Sequence, residues 1–160
     1  VAFRIVDGEA RLERTGDHLG AGVEFHLFSA SHQAARKLTT HEHLESLRDR
    51  LGDASDAASA AARISRAAQT CLESWNSGQA LEFGRSAGVF ARIHDEHGLE
   101  HASARRDRLA IEALPGVLGV KGCGAGLADA LWVLSEAGAG AEVQSLAVEL
   151  GLRPVAGFRP

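Results

Sequence analysis

Tyrosine and methionine are absent from this 160-residue chain, two cysteines are present, and only Lys37 and Lys121 are lysines. Cys71 and Cys123 make neither a disulfide framework nor a metal-ligand spacing, so a reducing cytoplasm is the expected setting. No apolar run reaches membrane-spanning length and no signal peptide is visible, so no membrane partner is expected. Acids and bases are interspersed around a net charge of -4, and no basic patch argues for nucleic acid. With so much Ala, Gly and Arg, the scarcity of Lys points to a GC-rich genome rather than to a function. Val1 opens directly on "VAFRIV" without an initiator Met. We therefore expect a piece of something longer, or a processed product.

What is there suffices for one domain. The apolar fraction of 45% can build a real core. "AFRIV" alternates and ends at Asp7-Gly8, a turn pair; "VEFHLFSA" is a second strand with Val23, Phe25 and Leu27 on one face. Thr40 is placed to cap a short helix over 41–51, stopped by Gly52. A long Ala-rich helix starts at Asp53 or Ser55, with Ala57, Ala61, Ile64, Ala68, Cys71 or Leu72, and Trp75 on one face. Helices over 79–97 and 102–114 follow, closed by Gly98 and by Pro115-Gly116; Gly84 and Gly88 give the first of these a small-residue ridge for close backbone approach. "GAEVQSLAVELG" reads as a last helix and "RPVAGF" as a last strand. Strands, then helices, then strands predict an α+β fold with a largely antiparallel sheet.

Between "GVLGV" and "LWVL" lies a run of small residues, Gly122 to Gly126, preceded by Lys121. A dinucleotide fingerprint needs its third glycine three residues after the second; here it comes after two, and late in the chain. The Walker loop fails because no Gly-Lys-Ser/Thr closes the run. A plain tight turn is open, although a hairpin needs only one or two glycines. Successive small residues expose backbone N–H groups and read as an anion nest. After Leu127 the pattern alone fits either a helix or a buried strand.

Lys121-Gly122-Cys123-Gly124-Ala125-Gly126-Leu127-Ala128-Asp129 resembles the third signature of the GHMP kinases, roughly Lys-x-Ser/Thr-Gly-Ala-Gly-Gly-Gly-Gly/Asp, set between two strands. It departs at Cys123, where that family has a hydroxyl, and at Leu127 and Ala128, where it has Gly. "LEFGRSAGVFARIHDEHGL" resembles the family helix that carries Phe-Gly and, further on, His and Leu. "RKLTTHEHL" resembles the Lys-x-x-Thr-x-Glu-x-Leu segment of mevalonate-kinase-like members, without the preceding Thr-Gly.

The resemblance implies a single domain over 1–160 of ferredoxin-like type, an antiparallel sheet of about four strands with helices packed on one face. It implies a C-terminal kinase domain that contributes Lys121, Gly122, Cys123, Gly124, Ala125, Gly126 and Asp129 to a phosphate or substrate loop. Lys37, Thr40 and His41 would contact the substrate. ATP and Mg2+ would be held mainly by an N-terminal kinase domain, whose Pro-x-x-x-Gly-Leu-Gly-Ser-Ser-Ala loop and catalytic Asp have no match here. The partners implied are a small-molecule alcohol and that N-terminal domain; a homodimer is compatible. A non-catalytic binding module of the same fold is the competing expectation.

His94, His97 and His101 fall at i, i+3 and i+7, but a helix running through Gly98 would be needed to align them, and we expect helix-end histidines rather than a metal site. Cys123 in a nest of N–H groups is expected to have a lowered thiol pKa.

Overall fold

The structure, a computed structural model, describes residues 2–6, 9–13, 19–20, 22–30, 45, 49, 54–123 and 129–158. Strands β1 (Ala2–Val6) and β2 (Glu9–Glu13) pair antiparallel as a two-stranded sheet, with Val6 opposite Glu9. β2 is missing from the sequence reading because "EARLE" offers no run of branched apolar residues. β3 (Val23–Ser29) follows; among the described residues after it, Glu45 and Asp49 are helical, and then come the helices α1 (Ala54–Asn76), α2 (Ala80–Glu96) and α3 (Ala102–Glu112). The hairpin β4 (Val117–Cys123) and β5 (Ala130–Glu136), α4 (Gly140–Glu149) and β6 (Arg153–Phe158) complete the chain.

The main sheet has the order β4-β5-β3-β6, every neighbour antiparallel, which is the ferredoxin-like arrangement. β6 is an edge strand, which is where Pro154 is tolerated. The α2 and α3 boundaries follow their punctuation: Gly98 takes φ 63 just past α2, and Gly116 takes φ 76 in the turn into β4. Among the described residues no helix is long and apolar enough to cross a membrane.

Alternation along β5 divides the core in two. Leu131 and Val133 join Phe28, Ala30, Val120, Ile111 of α3, and Val143 and Ala147 of α4. Trp132 and Leu134 face the other way, toward Val23, Phe25, Trp75 at the end of α1, and Phe83 at the start of α2. So α3 and α4 cover one face, while the α1–α2 pair closes part of the other. β3 accordingly uses both faces: of Val23, Phe25 and Leu27, expected on one face, Val23 is buried and Phe25 and Leu27 are half-buried, while His26 and Phe28 are buried on the reverse.

The buried stripe of α1 differs from the expected one. Ala60, Ala67 and Ser74 are buried, Cys71, Leu72 and Trp75 half-buried, and Ala61 and Ala68 exposed. An Ala-rich helix carries methyls on every side, so tertiary contact decides its rotation.

Gly84 meets its expectation. A methyl built on it would strike the Leu118 carbonyl, and one built on Gly119 would lie 2.6 Å from the Gly84 backbone. The two glycines let α2 lie directly on β4. At Gly88 the nearest atoms are side-chain ends at 3.4 Å, so no backbone approach requires that glycine.

A buried ion cluster anchors α3. Arg108, 2% exposed, donates through Nε and Nη2 to the two carboxylate oxygens of Glu100, each at 2.8 Å, and through Nη1 to Glu112 at 3.0 Å. The bond to Glu100 raises the guanidinium pKa against the opposing effect of burial.

Candidate functional site

The β4–β5 hairpin delivers the glycine run. Cys123 and Ala130 are register partners, so the strands close directly at the ends of the loop. The element after it is a strand, which removes the dinucleotide reading. At the exit, Ala30 N–H donates to the Asp129 carbonyl at 2.8 Å, and Ser29 pairs with Ala130. The end of β3, from which the chain enters the "RKLTTHEHL" segment, is thereby fastened to the exit of the glycine loop. The ends of β3 and β4 thus meet the start of β5 at one end of the sheet. Gly124, Ala125 and Gly126, and likewise Lys37, Thr40 and His41, lie outside the described residues.

Of the described loop residues, Gly122 is buried in the strand, Cys123 and Lys121 are half-buried, and the Asp129 side chain is exposed while its main chain makes the bond to Ala30. The Lys121 amine donates to the Gly122 carbonyl at 2.9 Å and sits 4.5 Å from the centre of the Phe90 ring on α2. Burial lowers its pKa, partly offset by Cys123 and Cys71. The Cys123 thiol moves opposite to expectation: burial raises its pKa, and the Lys121 charge and a backbone hydrogen bond with Trp132 only moderate this. A half-buried sulfur pays for desolvation of its thiolate before neighbouring donors can compensate.

Next to this pair lies an aromatic array that the sequence reading did not assemble. Trp132 stacks on Phe25 at 5.2 Å and on Phe83 at 5.7 Å, and Trp75 meets Phe83 edge-on at 5.4 Å. All four rings are half-buried. The signal was available in part: Trp75 and Phe83 flank a short interhelix turn, so antiparallel helices bring them together.

The histidines serve the helix ends. His101 caps α3, its Nδ1 accepting from Ser103 N–H at 3.3 Å, and the His94 ring lies tilted against Phe90 with centroids 4.6 Å apart.

No protein-family model matches this chain, and no curated protein sequence matches it at a significant level. Solved structures do match. Streptococcus pneumoniae phosphomevalonate kinase aligns with TM-score 0.69 and 14% identity over 87% of this chain and 41% of that one. The same enzyme in complex with phosphomevalonate and AMPPNP aligns with TM-score 0.78 and 13% identity over 97% of this chain and 44% of that one. L. major mevalonate kinase in complex with R-mevalonate aligns with TM-score 0.74 and 8% identity over 99% of this chain and 48% of that one. This chain spans less than half the length of each. In fold, the chain is similar to the C-terminal domain of these kinases.

Proposed function

We propose that this chain is the acceptor and phosphate-loop half of an ATP-dependent small-molecule kinase, transferring a phosphoryl group to an alcohol such as mevalonate or a related acceptor. The observation that carries the reading is the shared sheet end: the Ala30–Asp129 bond ties the exit of the glycine loop to the start of the segment holding Lys37, Thr40 and His41. In this reading Gly122, Cys123, Gly124, Ala125 and Gly126 turn backbone N–H groups toward a phosphate. Lys121 adds positive charge from behind the loop, and Asp129 holds its exit through the main chain. Lys37, Thr40 and His41 border the acceptor.

Phosphoryl transfer needs positioning and charge neutralisation more than covalent chemistry. ATP and Mg2+ supply the transferred group and the neutralising cation. They belong mainly to an N-terminal kinase domain with its own nucleotide loop and catalytic Asp, and a cytoplasmic setting suits that chemistry. This chain contributes no catalytic residue. The matched kinase structures with phosphomevalonate and AMPPNP, and with R-mevalonate, support the substrate class.

The test is ATP turnover with mevalonate, phosphomevalonate, galactose and homoserine as acceptors. A protein joining this chain to a domain with the Gly-Leu-Gly-Ser-Ser loop is expected to phosphorylate one of them, and the 160-residue chain alone none. Turnover by the chain alone would refute the division of labour. The non-catalytic alternative draws support from Cys123, Leu127 and Ala128, which replace a hydroxyl and two glycines of the family pattern. Acceptor binding without turnover in the joined protein decides for it.

A further inference from the structure

α1 and α2 run antiparallel, with Arg63 bonded to Glu96 at 2.7 Å at one end of the pair and Trp75 against Phe83 at the other. On α2, Glu82, Ser86, Val89 and Ile93 form one stripe, on the opposite side of the helix from Gly84, which meets β4. On α1, Arg63, Arg66, Ala67 and Thr70 form the facing stripe. Between the stripes lies a hollow of about 350 Å³, the size of a small-molecule pocket. Ala67 and Ser86 leave it open, because their side chains are too small to fill the gap between the helices.

The polar groups around the hollow differ in how far they are already engaged. The Thr70 hydroxyl donates to the Arg66 carbonyl at 3.1 Å, Arg63 holds Glu96, and Glu82 lies 4.0 Å from Arg85. Among the described residues two donors are left. The Arg66 guanidinium makes no ion pair, and the Ser86 hydroxyl makes no hydrogen bond. Ser86 is only 4% exposed. A helix serine ordinarily returns its hydroxyl to a carbonyl one turn back. Thr70, Ser74 and Ser77 on and just after α1 all do so, at 3.1, 2.7 and 2.7 Å. Ser86 does not, and it lines the hollow instead. A buried hydroxyl without a partner is destabilising unless something entering the hollow accepts its proton.

Two unengaged donors, one of them charged, fit an oxyanion. The rest of the lining fits an aliphatic body: Ala67 and Ile93 are buried, and Val89 is exposed along the hollow. The carboxylates of Glu82 and Glu96, toward its two ends, disfavour a second negative charge. We propose that the α1–α2 hollow binds a small aliphatic carboxylate, held at its oxygens by Arg66 and Ser86 and along its chain by Ala67, Val89 and Ile93. The planar fork of arginine matches the two oxygens of a carboxylate. The site stands on the side of α2 turned away from β4 and does not depend on the kinase reading.

The test is a titration of the folded chain with hexanoate, followed by amide NMR shifts. Signals within 63–70 and 82–93 are expected to move together and to saturate on the order of millimolar ligand, as suits a body of about eight heavy atoms. Hexylammonium, the same chain with the opposite charge, is expected not to saturate. Arg66→Gln is expected to weaken hexanoate by about tenfold, the loss of a hydrogen bond to a charged group. Ser86→Ala, which replaces serine by a better helix former, is expected to weaken it by about threefold. The absence of a saturable shift along the two stripes, or equal binding of hexylammonium, overturns the proposal without any variant. Inorganic phosphate binding there as tightly as hexanoate overturns the aliphatic body. Unchanged affinity in folded Arg66→Gln overturns the anion site, and unchanged affinity in folded Ser86→Ala overturns the part given to the hydroxyl.

Discussion

On the sheet face beneath α3 and α4, β5 presents Leu131 and Val133 at 1% and 0% exposure, among aliphatic neighbours. On the opposite face the same strand presents Trp132, half-buried between Phe25 and Phe83, with Lys121 and its thiol neighbour alongside. The first face is dry, closely packed and chemically inert. The second mixes rings, an amine and thiols, and leaves them partly wet. A face used only for stability is served best by branched aliphatics. Half-buried rings beside titratable groups give up burial and keep surface for contact. The difference assigns stability to one face and contact chemistry to the other.

The sharpest way to break the comparison is to separate α2 from β4, because that contact closes the second face. Gly84→Val would force a branched side chain into the Leu118 carbonyl, where only backbone could yield. We expect a loss of about 4 kcal/mol or more, enough to leave little folded protein. Gly88→Ala, with only movable side-chain ends at 3.4 Å, is expected to stay within about 1 kcal/mol of the parent. Urea unfolding of both variants checks the contrast, and similar midpoints would remove the seam from the account.

In the joined kinase, Gly124→Val asks whether the loop at the end of this face is a phosphate nest or a turn. If it orients N–H groups toward a phosphate, turnover falls by about a hundredfold, equivalent to roughly 3 kcal/mol of transition-state stabilisation. The loss of stability should be smaller, about 1 kcal/mol. Steady-state kinetics and thermal unfolding on one preparation separate the two. A destabilised variant with undiminished turnover would leave the loop as a turn.

A paired truncation compares the faces directly. Leu131→Ala removes a fully buried side chain and is expected to cost about 2 to 5 kcal/mol. Trp132→Ala removes more atoms but from a half-buried position, and is expected to cost only about 1 to 2 kcal/mol. Equal losses would mean that the second face is as much a core as the first.

Much of this architecture was legible. Pro115-Gly116 and Gly98 are local signals and placed α2 and α3 where they are found; the β4–β5 hairpin needed the resemblance to the kinase signature as well, because the run after Leu127 fits a helix or a strand by pattern alone. The Gly84 approach was legible too, since a glycine inside a helix is costly unless something occupies the space of its Cβ. The rotation of α1 was not, because Ala60, Ala61, Ala67 and Ala68 are identical to any periodicity count and only contact with α2 tells them apart. Nor was the Cys123 shift. Its sign depends on desolvation by the folded surroundings, which outweighs the neighbouring Lys121 charge and Trp132 hydrogen bond. Of the candidate site, the hairpin was readable through the resemblance, and its closing pair was not. The fastening of Asp129 to Ala30 was not, since it joins residues a hundred positions apart.

The smallest expected effect tests the first face at His26. His26 is 5% exposed on β3, its Nε2 3.4 Å from the Ser135 hydroxyl and 3.7 Å from the Glu24 carboxylate, against the start of α4 at Gly140. Burial lowers its pKa below the ordinary 6.5, and Glu24 only partly restores it. The unfolded chain therefore takes up a proton at a pH where the native imidazole stays neutral. Stability from this group is fully present above 6.5 and declines as pH falls toward the lower native value, where the decline ends. His26→Gln keeps a hydrogen-bonding side chain and abolishes the titration. Unfolding free energies measured at about pH 8 and about pH 5 should fall more for the parent than for His26→Gln, by under about 1 kcal/mol. If the variant loses as much as the parent on acidification, the acid sensitivity lies elsewhere and the face beneath α4 is inert at His26 as well.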